Sequence, residues 1–402
     1  MISIALVVSA SIKSAQFPFS SWLPRAMEGP TPSSAIFYGS IAVHIGVFLL
    51  LRTYPFWSDL TVIKIGVIVL GLFTSFIATI SSRVQSSIKA QIAYSSVAQI
   101  GLIFVEVALG LEMIALIHLT GNAFLRSYQL LISPSVVTYL IREQFFNYAP
   151  VKERKKKTWT RIITNSFYVI GLKEWHMDNN LYRFFWYPLK RVGYLTTFLT
   201  TLNSSIFTLI VIVGSFFILN TEAYEHLTIQ RYIPVLFGLI GLLFVLRAFT
   251  DRGSSTLAWT LLTLNHFWIV LAVAFNERFD TMDIVFYLSG VLIASISGYI
   301  VLHLLRKKEK FDLNNFYGHA TEHKALGFYF LLSCLALAGF PITSTFLGED
   351  LLFTHIHEDQ IFLAILISIN FVVTGIAVIR MYSRIFMGPN RKWYQPNARR
   401  SA

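Results

Sequence analysis

Eight residues of this 402-residue sequence place ionisable or strongly polar chemistry inside or beside apolar sequence: Lys13, Tyr38, His44, His118, Asn122, Arg126, Glu349 and Asp350. In hydrocarbon such side chains are costly, so they face other protein or a water-filled cavity, and the chemistry they support there is proton transfer. His118, Asn122 and Arg126 recur every fourth residue and share one face of a helix. A polar stripe of this kind is either a proton path or a seam of helix–helix hydrogen bonds. Tyr38 and His44, six residues apart, point to different sides of their helix. His44 reads as a relay member or as a satisfied polar residue. Lys13 ends a short apolar run, as a candidate proton carrier or as a lysine reaching for the interface. Glu349 and Asp350 repel each other when both are ionised, which suits proton exchange with water; the bland reading is an acidic loop at the membrane surface. Of the remaining charged positions, Lys64 and Glu106 could pair, Lys89 sits in the polar start of a span, and an isolated His266 reads as structural.

Two broken segments would position this chemistry. Pro18, Pro24, Pro30 and Pro32 follow Lys13 closely, together with Gly29. Each proline removes a backbone donor and crowds the preceding turn. Irregular backbone at membrane depth is tolerated only where it is buried in protein or lines a cavity. A second interruption, Gly339-Phe340-Pro341, leads into Glu349 and Asp350. Pro134 lies in the striped helix, where it can kink the helix and free a carbonyl.

The surrounding elements are apolar. Hydrophobic residues make up 55% of the chain and charged residues 13%, against about a quarter charged in a soluble domain. Stretches long enough to span a bilayer lie near 35–52, 60–81, 91–109, 111–137, 194–219, 230–249, 256–275, 282–305, 325–346 and 360–381. Met1–Ala10 reads as the tail of a further helix. The expected fold is an all-α polytopic membrane protein of about ten to eleven transmembrane helices, two of them broken. Four regions are expected: a proton-channel block over 1–137, a basic insert over 138–193, a four-helix membrane insert over 194–305, and over 306–402 the second broken helix, a final span and a basic tail.

The net charge of +12 concentrates between spans, which argues for membrane orientation rather than nucleic-acid binding. The insert holds Lys152, Arg154, Lys155, Lys156, Lys157, Arg161, Lys173, Lys190 and Arg191, and so is expected on the cytoplasmic side. Arg306–Lys310 and the tail Arg391–Ala402 fall on the same side. Aromatics of the insert, from Trp159 to Trp186, suggest helices lying in the interface. The single cysteine, Cys334, excludes an internal disulfide or a CxxC site. No glycine-rich nucleotide loop is present, and neither His319 with His323 nor His355, His357 and Glu358 has convincing metal-ligand spacing. No cofactor is expected in this chain; any flavin, iron–sulfur cluster or zinc would belong to partner subunits.

The run Lys13-Ser-Ala-Gln-Phe-Pro-Phe-Ser-Ser-Trp-Leu-Pro-Arg-Ala-Met-Glu-Gly-Pro-Thr-Pro-Ser-Ser-Ala resembles the antiporter-like subunits of respiratory complex I, in particular the L-type subunit. Related proteins are the Mrp cation/proton antiporters and the membrane subunit of DAB-type inorganic-carbon transporters. The resemblance continues through Ser87–Gly101 and Ile117–Arg126, and returns at Gly339-Phe340-Pro341. It implies a proton-translocating subunit of a larger complex in the bacterial inner membrane, with Lys13 as the central lysine of a half-channel and His118 in the connecting relay. It also implies a glutamate partner for Lys13 on a helix before residue 1, so the chain is expected to be N-terminally truncated. Several positions depart from the family pattern: Tyr38 and Asn122 replace histidines, Arg126 replaces a lysine, Gly348 stands at the second break's lysine, and 194–305 intervenes. These departures keep open an inorganic-carbon transporter whose partner is a zinc protein. They also leave room for an Mrp-like antiporter, with a sodium site built on Glu349 and Asp350, and for a purely structural membrane anchor.

Overall fold

The computed structural model of the protein describes residues 2–147, 158–219, 232–276, 281–357 and 359–389. The basic run Lys152 to Lys157, Glu358 and the tail Arg391–Ala402 lie outside the described residues. Among those residues every regular element is a helix. The chain is an all-α polytopic membrane protein. Eight helices are long and apolar enough to cross a membrane, and the shorter apolar helices Ile2–Lys13 and Lys324–Leu337 accompany them. The polar stripe lies on a further helix, Glu112–Phe146, which is not one of the eight. The chain divides into two compact units, Met1–Phe184 and Phe185–Ala402.

In the first unit α1 (Ile2–Lys13) ends at Lys13, and the chain loses helical structure before α2 (Trp22–Ala26). Pro18 lies in this break, Pro24 is buried within α2, and Pro30 and Pro32 open α3 (Thr31–Ser33). The break is tied down by its own polar atoms. The Phe17 N–H donates to the Thr74 hydroxyl at 3.0 Å, and the Lys89 ammonium donates to the Gly29 carbonyl at 2.8 Å.

From α3 the chain continues as a π-helix over Ser34–Ile41 before α4 (Ile45–Arg52). Then come α5 (Thr61–Val84), α6 (Ile88–Ala108) and α7 (Glu112–Phe146). Their short connections make α5, α6 and α7 antiparallel neighbours. Gly71 and Gly101 allow α5 and α6 to approach closely: a Cβ on Gly71 would stand 2.4 Å from the Gly101 carbonyl, and the reverse contact would be 2.6 Å.

Pro134 does not break α7. Its ring cannot donate to the Leu130 carbonyl four residues earlier. The Ser133 hydroxyl donates to that carbonyl instead, at 2.8 Å. The first part of the insert also forms helices: α8 (Thr158–Leu172) lays Gly171 and Phe167 on α5, and α9 (Met177–Leu181) follows.

The second unit contains α10 (Tyr187–Leu195), α11 (Thr201–Leu219), α12 (Ile233–Thr250), α13 (Ser255–Ala274) and α14 (Thr281–Lys308). It ends with α15 (Lys324–Leu337), α16 (Ser344–Thr354) and α17 (Ile361–Phe386). The helix α13 is its core, with Trp259, Trp268 and His266 all fully buried. The second break separates α15 from α16 at Ala338–Thr343 and contains Pro341. Gly339 takes φ +64°, a left-handed conformation that glycine adopts freely.

Candidate functional site

The antiparallel pairing of α6 and α7 sets the site. A short turn joins them, so His118 on α7 runs level with the middle of the α6 stretch Gln99–Glu106 and meets a side chain at either end of it: its Nδ1 is 2.7 Å from Glu106 Oε1 and its Nε2 is 3.0 Å from Gln99 Oε1. His118 and Glu106 are both partly buried, with side chains 27% and 21% exposed. The second Glu106 oxygen is buried without a partner among the described residues. This group can hold a proton in more than one place. With the Gln99 carbonyl accepting, an imidazolium donates on both sides. With the amide turned, Gln99 donates to a neutral ring.

One turn further along α7 a second chain of contacts begins. His44 Nδ1 lies 2.9 Å from the Ser40 carbonyl, which only accepts. The proton is therefore on Nδ1, and Nε2 accepts from the Asn122 amide at 3.0 Å. The Asn122 carbonyl oxygen then accepts from Arg126 Nε at 3.1 Å. The Arg126 guanidinium also donates to Gln129 Oε1 at 2.7 Å and to the Ser95 carbonyl at 3.2 Å. His44, Asn122 and Arg126 are only 4%, 4% and 6% exposed. Every donor in this chain has a defined direction, and Arg126 keeps its charge.

The two groups lie on one ladder. From His118 to Gln129 along α7 is about 16 Å, roughly half the hydrocarbon thickness of a bilayer. At the Arg126 end the ladder opens into a cavity of about 660 Å³ lined by Arg83, Gln91, Ser95, Tyr128, Gln129 and Ser133, among others.

The structure separates other sequence-derived candidates from this ladder. Lys13 is exposed at the end of α1 and has no hydrogen-bonding or ionic partner among the described residues. It closes the 12-residue helix α1, directly before the first break. Tyr38 packs edge-on against Trp22, 6.4 Å between centroids. Lys64 and Glu106 do not pair. Glu106 is taken by His118, and Lys64 stands 6.0 Å from the centre of the Tyr54 ring.

Glu349 and Asp350 lie in the second unit and diverge. Glu349 is half-buried, so close to Gly339 that a Cβ there would meet its carboxylate at 2.4 Å. Asp350 is exposed. His266 is not isolated: its Nδ1 is 2.7 Å from the Tyr287 hydroxyl. Tyr287 in turn packs on Gly348, beside Glu349. Sequence spacing did not flag the trio Glu309, Glu322 and His323, whose ligand atoms lie within 4.8 Å of one another. The lysines at 307, 308, 310 and 324 adjoin them in sequence and oppose a cation there.

Sequence reading named Glu106 with Lys64 as its partner, and did not single out Gln99 or Gln129 as members of the ladder. Counting outward from the α6–α7 turn puts Leu102 level with His118, with Glu106 and Gln99 about one turn to either side.

Residues 1–151 match the model of the NADH:quinone oxidoreductase/Mrp antiporter membrane family. NADH-ubiquinone oxidoreductase chain 5 of Balaenoptera physalus is 40% identical over 139 residues, 35% of this chain and 23% of that protein. The Petromyzon marinus chain 5 is 37% identical over 142 residues, 35% of this chain and 24% of that protein. NADH-quinone oxidoreductase subunit L of Rhodobacter capsulatus is 34% identical over 173 residues, 43% of this chain and 24% of that protein. The aligned part of the chain thus spans about a quarter of the length of these relatives. The matched stretch, residues 1–151, contains the whole polar ladder. The second break at Gly339-Phe340-Pro341 lies outside the match.

Proposed function

We propose that this chain is a proton-translocating, antiporter-like membrane subunit of a multi-subunit NADH:quinone oxidoreductase-type complex. The observation that carries the reading is the hydrogen-bonded group Glu106–His118–Gln99, set between spans inside the segment that matches the family. An imidazole and a carboxylate 2.7 Å apart exchange a proton directly. The neighbouring chain His44–Asn122–Arg126 fixes the packing of α4 against α7, and leads toward the cavity through which water reaches the ladder. Lys13, beside the first break, is the further proton-carrying group of this reading, and half-buried Glu349 is a second exchange point. Redox chemistry belongs to partner subunits carrying flavin or iron–sulfur clusters; this chain supplies the proton path. In a bacterium the site of action is the inner membrane, with 138–193 on the cytoplasmic side. The basic residues of that segment support this orientation.

The test is proton flux into sealed vesicles containing the assembled complex, with wild-type chain or with Glu106→Gln or His118→Ala. Losing a positioned proton-transfer group costs about 100-fold or more. Both variants are expected to abolish measurable flux while the complex still assembles. Unchanged flux in both would remove the ladder from the proton path.

A further inference from the structure

The cavity beside Arg126 carries two guanidinium groups and no compensating acid. Arg126 is buried, 6% exposed, on α7. Arg83 lines the same space from the last turn of α5. Among the described residues neither forms an ion pair with a carboxylate. A buried charge without a counter-charge is costly, and proteins normally pair it. Arginine presents five N–H donors. Three directions of the Arg126 guanidinium are used, toward Asn122, Gln129 and the Ser95 carbonyl, all of them neutral acceptors. Two N–H groups remain for something in the cavity.

The rest of the lining defines what that something is. Tyr128, Ser82 and Gln91 add hydroxyl and amide groups near the two arginines, whereas Ile88, Ile92 and Val136 make the remainder apolar. The cavity sits where α5 ends and α6 begins, at one end of the helical bundle. Its volume of about 660 Å³ exceeds the need of a lone water or halide.

We infer that the Arg83–Arg126 cavity is a binding site for a phosphate-type oxyanion, presented by an anionic lipid headgroup or as free phosphate. The planar guanidinium fork matches two oxygens of such a group, which is why arginine recurs at phosphate sites. Bound there, the oxyanion neutralises Arg126. The inference does not depend on proton conduction by the chain.

The experiment uses the full chain in two settings. In nanodiscs of phosphatidylcholine containing spin-labelled phosphatidylglycerol, the motionally restricted lipid fraction is measured. In detergent, the unfolding midpoint is followed as inorganic phosphate is added. Each is repeated with Arg83→Gln and Arg126→Gln. Arg83 is exposed and without a hydrogen-bonding or ionic partner among the described residues, so its variant is expected to fold even where Arg126→Gln does not. A headgroup site gives phosphatidylglycerol association that falls about fivefold in Arg83→Gln, the effect of one basic side chain on an anionic surface, with no response to inorganic phosphate. A free-oxyanion site gives a phosphate-dependent rise in midpoint that Arg83→Gln diminishes. Absence of both responses in the wild-type chain, or responses that Arg83→Gln leaves intact, overturns the inference.

Discussion

Replacing Asn122 isolates what the inner part of the ladder does. Its amide joins two buried partners, accepting from Arg126 Nε at 3.1 Å and donating to His44 Nε2 at 3.0 Å. Asn122→Leu removes both bonds and keeps the same branched side-chain skeleton. Within membranes a side-chain hydrogen bond is worth about 0.6 kcal/mol on average, so the two bonds alone set a floor of about 1.2 kcal/mol. Leaving a buried acceptor and a charged donor unsatisfied adds about 1–3 kcal/mol each. The expected loss is therefore about 3–7 kcal/mol. Asn122→Asp should behave differently. A carboxylate accepts from Arg126 as before, but it cannot donate to His44, so the imidazole must bring a second proton. The variant would convert a neutral link into an ion-paired one and lose less stability than Asn122→Leu. The assay is paired: unfolding of the full chain in detergent, and ¹⁵N spectroscopy of the His44 ring. Wild type is expected as the Nδ1–H tautomer and Asn122→Asp as the doubly protonated ring. An Nε2–H tautomer in the wild-type chain, or equal destabilisation by both substitutions, would refute this account of the site.

Further outcomes follow from the same geometry. Ser133→Ala leaves the Leu130 carbonyl opposite Pro134 without its donor, and should cost about 1 kcal/mol in unfolding free energy. Gly101→Val drives a branched side chain into the Gly71 carbonyl, which a Cβ alone would already approach to 2.6 Å; loss of folded protein by size-exclusion chromatography is expected, whereas Gly66→Ala, with open space around its Cβ position, should be neutral. Asp178→Ala removes the acid that pairs with Arg25 and accepts from the Ser21 hydroxyl. Limited proteolysis should then cut near 173–184 faster than in wild type, with no change in the cleavage of α5 or α6.

The parts of this molecule that one helix can encode were legible in its sequence. The stripe His118, Asn122, Arg126 was readable because helical periodicity alone aligns it, and the two breaks because proline and glycine leave the backbone few options. Pairings between helices were harder. Lys64 was a reasonable partner for Glu106 from charge and depth, yet rotation of α5 about its axis turns Lys64 toward the Tyr54 ring. Depth follows from counting residues, but azimuth follows from packing, and here Gly71 against Gly101 sets it. The link between His266 and Tyr287 was out of reach for a similar reason: the two lie on different helices of the second unit, and neither has a local signature. Glu349 and Asp350 looked like a pair because they are consecutive, although consecutive residues on a helix point about 100° apart.

The π-helical stretch Ser34–Ile41 has a consequence for how this segment tolerates change in length. A wider turn holds one residue more than an α-helix needs over the same rise. Removing any single residue from it would let the backbone tighten to ordinary α-geometry while Ile45–Arg52 kept its rotational setting, so His44 would still meet Asn122. The same deletion in α7 would turn everything beyond it by about 100° and carry Asn122 and Arg126 off their partners. The two helices that meet at His44 are thus unequal in sequence latitude: one carries a spare residue, and the other has none to lose.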